Sequence, residues 1–231
     1  MSNCILSYPG SGNNLVRFFI ELLTETPTIG WDAVPEDVAI YKATFAKPVP
    51  FNIEETTPAV YKKEHIVPGP ERKYEKMILL VRNPKEVIVR QAGFNLKNIC
   101  DGYFVKTETV NLHFSMYFNM VNYYNKFKGP KKVFYYEDLL TNKKAFLQEL
   151  YDFLEVNKPE KLKYALENVD ELYHLSLTGK DRIWLGAKSD ITLSFYFKKL
   201  AESAQRFFCD EFNLFLNGAG SEIIKARYSA Y

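Results

Sequence analysis

Little in this sequence would place the chain in a specialised class. None of its 231 residues belong to an apolar run long enough to span a membrane. The three cysteines, Cys4, Cys100 and Cys209, lie far apart and form no CxxC pair. That argues against a disulfide scaffold or a zinc site and favours a reducing compartment. Charge of one sign is not in excess, with 30 Lys+Arg against 28 Asp+Glu. A nucleic-acid partner held by counterion release is therefore not expected. Internal repeats and low-complexity tracts are absent. A glycine-bearing loop begins near residue 8, so a secretory leader or anchor ahead of it is not expected. The expectation is a soluble, cytoplasmic protein without a membrane partner. What the chain has in quantity is aromatic residues, 16 Tyr and 18 Phe, enough for a packed core and an aromatic-lined pocket. The length suits one domain, expected over residues 1–217, with 218–231 as a mobile or docked tail after a Gly-Ala-Gly-Ser breaker.

The rest of the chain is organised around residues 4–17. They read as a short buried strand, a tight loop Tyr8-Pro9-Gly10-Ser11-Gly12-Asn13-Asn14, and the first turn of a helix. Leu15, Phe18, Phe19, Leu22 and Leu23 repeat at the spacing of one buried helical face. Glycines before a helix N-terminus let main-chain N–H groups converge on an anion, and the helix dipole adds positive potential. Ser11, Asn13 and Asn14 add side-chain donors. This is a candidate phosphate site, but not a Walker A loop. Asn13 and Asn14 follow Gly12, where that motif needs lysine and then a hydroxyl for magnesium.

Three later strands end in polar residues. Residues 59–65 run into Lys63-Glu64-His65, closed by Val67-Pro68-Gly69-Pro70. Residues 77–82 form a continuous apolar run ending in Arg82-Asn83-Pro84-Lys85-Glu86. Asn83 reads as an N-cap, Pro84 as the first helical residue, and Glu86 as the return half of a capping box. Residues 132–139 read as a strand leading into Glu137 and Asp138, a carboxylate pair better explained by helix-start charge and loop hydrogen bonds than by catalysis. In open α/β sheets ligands bind beyond the carboxyl ends of strands, so these positions are candidates. Residues 24–58 are an irregular, proline-bearing excursion; helices are expected at 108–127, 143–154, 159–172 and 192–216. His113 reads as structural.

Taken together and in this order, these segments resemble the PAPS-dependent sulfotransferases, PAPS being 3′-phosphoadenosine 5′-phosphosulfate. Ser7-Tyr8-Pro9-Gly10-Ser11-Gly12-Asn13-Asn14 resembles that family's 5′-phosphosulfate loop, Ser-Tyr-Pro-Lys-Ser-Gly-Thr-Thr. Lys63-Glu64-His65-Ile66-Val67-Pro68 resembles its Lys-Thr-His-Leu-Pro segment. Residues 82–90 resemble its Arg-Asn-Pro-Lys-Asp-Val-x-Val-Ser segment, with Arg90 at the serine position, and 134–139 its Phe-Tyr-Glu-Asp-Leu segment. A looser likeness joins Gly179, Lys180, Arg182 and Trp184 to a late Arg-Lys-Gly loop.

The resemblance implies an α/β fold of P-loop type, three layers with a central parallel sheet flanked by helices. It implies PAPS as donor, 3′,5′-adenosine bisphosphate (PAP) as product, no metal, and a small-molecule or carbohydrate acceptor. Gly10, Ser11, Gly12, Asn13 and Asn14 would hold the 5′-phosphosulfate. Arg82, Arg90, Lys180 and Arg182 would hold the 3′-phosphate, and Tyr136 would lie near the adenine. His65 would be the general base and Lys63 would support the sulfuryl oxygens. The family's loop lysine is Gly10 here. Arg17, one turn into the helix, either substitutes for it or pairs with Glu21 at i+4. Two rival readings stay open: a nucleotide-binding relative without turnover, and an ATP-dependent phosphotransferase with a degenerate loop.

Overall fold

A computed structural model of the chain describes residues 2–30, 59–91, 107–177, 200, 202–218 and 220–229. The expected features of residues 31–58, of Lys180, Arg182 and Trp184, and of the helix portion before residue 200 lie outside the described residues. Five strands form one parallel sheet: β1 (Ser2–Ser7), β2 (Thr28–Ile29), β3 (Tyr61–Glu64), β4 (Tyr74–Val81) and β5 (Lys131–Tyr135). Their order across the sheet is β2-β3-β1-β4-β5. β1 is thus central, and the chain crosses first to one side of it and later to the other. That switch opens a crevice beyond the C-terminal ends of β1, β3 and β4, where such sheets bind ligands.

Alternation along β1 divides the interior into two cores. Ile5 faces one layer with Ile78, Leu80 and Phe134; Cys4 and Leu6 face the other with Met77, Leu79 and Val81. The first layer is covered by α1 (Asn13–Thr24), α5 (Lys143–Leu154), α6 (Pro159–Glu167) and α7 (Val169–Leu177). The second is covered by α2 (Pro84–Gln91), α3 (Thr107–Lys126), α8 (Glu202–Leu216) and α9 (Glu222–Tyr228). A short helix, α4 (Tyr136–Thr141), follows β5. The three-layer α/β architecture is the one expected.

Several local expectations are corrected. The residues read as one buried face of α1 are buried, but so are Arg17 and Glu21, because α1 is wedged between the sheet and the helices outside it. Full burial of Phe18 and Phe19 contributes about 1.5–3 kcal/mol each. The strand expected over 132–139 ends at Tyr135, and Tyr136-Glu137-Asp138 already form the first turn of α4. The single helix expected over 159–172 is two, broken at Asn168 (φ −114°, ψ 19°). Its side-chain Nδ2 donates to the Tyr164 carbonyl at 2.9 Å, a local bond that competes with helix continuation. The chain's end carries α9, docked through Ile224 and Tyr228, both buried. Among the described residues no helix is long and apolar enough to cross a membrane.

Candidate active site

The loop after β1 has the backbone that its glycines predict. Gly10 and Gly12 sit at φ 85° and 88°, the left-handed region that residues with a Cβ avoid. A Cβ on Gly12 would lie 2.4 Å from Cδ2 of Tyr136, so only glycine fits under that ring. Gly12 is also the N-cap of α1, and with no side chain there the first turn has no side-chain cap. Leu15 N and Val16 N donate instead to the main-chain carbonyl of Gly12, at 3.1 and 3.2 Å. Ser11 Oγ is buried without a hydrogen-bond partner. An orphaned hydroxyl in a loop of this shape fits an anion acceptor that would bond to it. Asn13 Nδ2 donates to Ser7 Oγ at 2.7 Å, which anchors the start of α1 to the end of β1. Asn14 follows it in the first helical turn.

Two later strand ends converge on this loop. Arg82, directly after β4, is almost fully buried and donates from Nη1 to the carbonyl of Gly10 at 3.1 Å. Its guanidinium lies over the ring of Tyr136, 4.5 Å from the centroid, with Glu86 Oε1 4.0 Å from Nη2. The single turn that carries Arg82 is held on both sides. Tyr117 Oη donates to the Arg82 carbonyl at 2.8 Å, and the next N–H, that of Asn83, donates to Glu137 Oε1 at 2.9 Å. Asn83 does cap α2, accepting from Lys85 N at 3.0 Å. The return half of the expected capping box, however, comes from Glu137 and not from Glu86. Arg90 belongs to α2, but its side chain lies outside the described residues.

On the other side of β1, His65 follows the last residue of β3, and its Nδ1 lies 2.7 Å from the carbonyl of Ser7. A carbonyl only accepts, so Nδ1 carries the proton and Nε2 keeps a free lone pair. Burial is the main cause of a lowered His65 pKa, reinforced by the positive fields of Lys63 and Arg17 and opposed by the Ser7 bond and Glu64. The imidazole is therefore held neutral, in the tautomer that leaves Nε2 able to take a proton. Lys63 pairs in register with Ile5, whose side chain faces the α1 layer, and Glu64 with Leu6, which faces the other. Glu64 is buried, its Oε1 accepting from Arg72 Nη1 and Tyr74 Oη, each at 2.5 Å.

Arg17 is fully buried and is engaged with β2: Nε donates to Thr28 Oγ1 at 2.8 Å and Nη2 to the Thr28 carbonyl at 3.1 Å. Glu21 Oε1 accepts from the same residue's N–H at 2.9 Å and hydroxyl at 2.5 Å. His113, read as structural, hydrogen bonds through Nδ1 to the hydroxyl of Tyr8. Burial raises the Tyr8 pKa and lowers that of His113, so the phenol donates and the imidazole accepts. Ser7, Tyr117 and Glu137 are the site-building residues that spacing did not single out as such. Ser7 acts through its carbonyl on His65 and its hydroxyl on Asn13, and the other two act from distant segments.

A family model, the sulfotransferase domain, matches residues 3–171. This chain belongs to the sulfotransferase family. The chain is 27% identical over 161 residues to a WSCD family member from Aedes aegypti, an alignment covering 65% of this chain and 49% of that protein. The chain thus spans about half the length of the curated relative it matches. Among solved structures it is similar to retinol dehydratase in complex with androsterone and inactive cofactor PAP, with TM-score 0.56, 14% identity, and 94% and 80% of the two chains covered. A second structure of retinol dehydratase, with retinol and PAP, aligns with TM-score 0.53, 16% identity, and coverage of 94% and 81%. At these identities the likeness is one of fold. Among the described residues, no group of three or more His, Cys, Asp or Glu side chains is placed to hold a metal ion.

Proposed function

We propose that the chain moves a sulfuryl group from PAPS to the hydroxyl, or amine, of a small-molecule or carbohydrate acceptor. The observation that carries this reading is the Ser7–His65 bond: a neutral imidazole, tautomer fixed, directly beside a glycine loop in which the buried Ser11 hydroxyl has no partner. In the proposal His65 Nε2 takes the acceptor's proton as the acceptor oxygen attacks sulfur, and the bond from sulfur to the phosphate oxygen of PAP breaks. The Gly10–Asn14 loop receives the charge that builds on the departing phosphate. Lys63 supports the sulfuryl oxygens, and Arg17 contributes through its field on His65 rather than by contact with the donor. Arg82, Arg90, Lys180 and Arg182 hold the 3′-phosphate, and Tyr136 flanks the adenine. Positioning and electrostatics then account for most of the acceleration, as in phosphoryl transfer.

Gly10 favours one second reading, a nucleotide-binding relative without turnover, since a cation aimed at the leaving oxygen is a contact typically worth about 10² or more in rate. Radiolabelled PAPS offered with a panel of alcohols, phenols, amines and sugars tests both. Label transferred to an acceptor, and lost in His65→Ala, supports the sulfotransferase. Stabilisation by PAP without any transfer supports the silent relative. Saturation at about 100 times the dissociation constant adds roughly 2.7 kcal/mol of stability, readily seen in a melt. Stabilisation by ATP with magnesium but not by PAP would overturn both in favour of a phosphotransferase.

A further inference from the structure

The helix α9 reaches, through Glu137, the turn that carries Arg82. Tyr228, near the end of α9, is almost fully buried, and its hydroxyl donates to Glu137 Oε2 at 2.6 Å. The other oxygen of that carboxylate accepts from Asn83 N. One buried carboxylate thus joins residues 91 positions downstream and 54 upstream of it. The N–H it holds belongs to the peptide unit whose carbonyl is held by Tyr117, so the Arg82–Asn83 peptide is pinned at both ends. Arg82 projects from that unit onto the Gly10 carbonyl and the Tyr136 ring, and Tyr136 is the neighbour of Glu137 in α4.

The docking that places Tyr228 is itself well specified. Asn125 Nδ2 donates to the Gly220 carbonyl at 2.8 Å, and Tyr135 Oη donates to the Ile223 carbonyl at 3.1 Å. Ser221 Oγ donates to the carbonyls of Leu216 and Gly218, closing the turn between α8 and α9. Ile224 fills the α3 side of the core. Arg227 pairs with Asp138 at the surface, where both side chains are more than a third exposed, and such a pair contributes little.

We propose that Tyr228 is a positioning residue for the donor site: through Glu137 it holds the turn that carries Arg82, and so makes affinity for the 3′-phosphate depend on docking of the chain's last helix. The proposal rests on the donor reading above only for the identity of the ligand. Removal of the hydroxyl leaves Glu137 Oε2 without its donor, and the carboxylate is freed to turn away from Asn83 N. Arg82 then loses its fixed origin, whereas the Gly10–Asn14 loop keeps its own.

Two ligands separate this from a bond that only stabilises the fold. PAP carries both phosphates and 5′-AMP only the one that the loop would bind. Calorimetric titration of Tyr228→Phe should show PAP affinity lowered about fivefold or more, in the range of ordinary coupling between sites, with 5′-AMP within about twofold of the unsubstituted chain. Glu137→Gln, which can keep one acceptor for Asn83 N and one group for the Tyr228 hydroxyl, should retain most of the PAP preference; Glu137→Ala should lose it. Arg227→Gln should leave it intact. An unchanged ratio of PAP to 5′-AMP affinity in Tyr228→Phe overturns the proposal. Hydrogen exchange needs no nucleotide: the segment containing Asn83 should exchange faster in Tyr228→Phe than in Arg227→Gln, and equal rates overturn the strut. Absence of PAP binding in the unsubstituted chain overturns the donor reading instead, and the exchange comparison then decides this one alone.

Discussion

The guanidinium of Arg82 lies over the ring of Tyr136, 4.5 Å from its centroid, while Nη1 reaches the carbonyl of Gly10. One side chain therefore touches the ring that roofs Gly12 and the loop that Gly12 closes. Arg82→Lys keeps the charge but loses the planar fork and the stacking. Hydrogen bonds to charged groups contribute about 1.5–3 kcal/mol, so PAP affinity should fall roughly 10-fold to 150-fold. Titration calorimetry checks this, and equal affinity in the lysine variant would remove Arg82 from the donor site.

Gly12 is fixed by two separable constraints. Its φ of 88° would cost an alanine about 1–2 kcal/mol, and the added Cβ would meet the Tyr136 ring at 2.4 Å. Gly12→Ala should lower the melting midpoint by roughly 2–8 °C. With Tyr136→Ala in the same chain the steric part disappears and the backbone part stays, so the alanine should cost less there but still more than zero. Differential scanning calorimetry of the four chains of this cycle gives the partition; purely additive midpoints would mean that the ring does not press on the loop.

His65 should show its burial in pH profiles. Its pKa is lowered from the ordinary 6.5, so between the folded and unfolded values the unfolded chain binds a proton that the folded chain does not. Stability therefore rises with pH through the window just below 6.5 and is lost as pH falls toward the folded value. His113, also lowered by burial, adds a slope of the same sign. If Nε2 is the base, the acid limb of kcat/KM should have its midpoint below 6.5. His65→Ala should lower turnover by about 10² to 10⁴ and flatten part of the acid-side stability slope. A limb at or above the ordinary histidine value would contradict the buried, neutral imidazole.

The parts of this architecture that were legible in the sequence are those carried by neighbours in the chain. The strand, glycine turn and helix of residues 4–24 announce themselves by spacing, and Arg82-Asn83-Pro84 contains a strand end, a cap and a first helical residue within three positions. The cap also marks where such reading stops. Glu86 stands at the spacing of a capping box, yet Glu137 takes the Asn83 N–H, a competition decided by tertiary packing and not by sequence distance. The hold of Ser7 on His65 is made by a main-chain carbonyl, which any residue type offers. β2 has only two residues, Thr28–Ile29, too short for any periodicity, and so nothing signalled that Arg17 and Glu21 would be covered.

That covering supplies a last prediction. Thr28 is fully buried, its hydroxyl accepts from Arg17 Nε and donates to Glu21 Oε1, and both charged side chains are themselves fully buried. Thr28→Val preserves shape and removes both bonds, leaving each charge a partner short in a medium where that is expensive. The loss should be at least about 1.5–3 kcal/mol, read from the urea midpoint at unchanged slope. Thr28→Ser, which keeps the hydroxyl, should recover most of it. Since the positive field of Arg17 helps hold His65 neutral, a displaced Arg17 should also move the acid limb of kcat/KM upward in the valine variant but not in the serine variant. A stability loss with an unmoved limb would mean that Arg17 serves only to join α1 to β2.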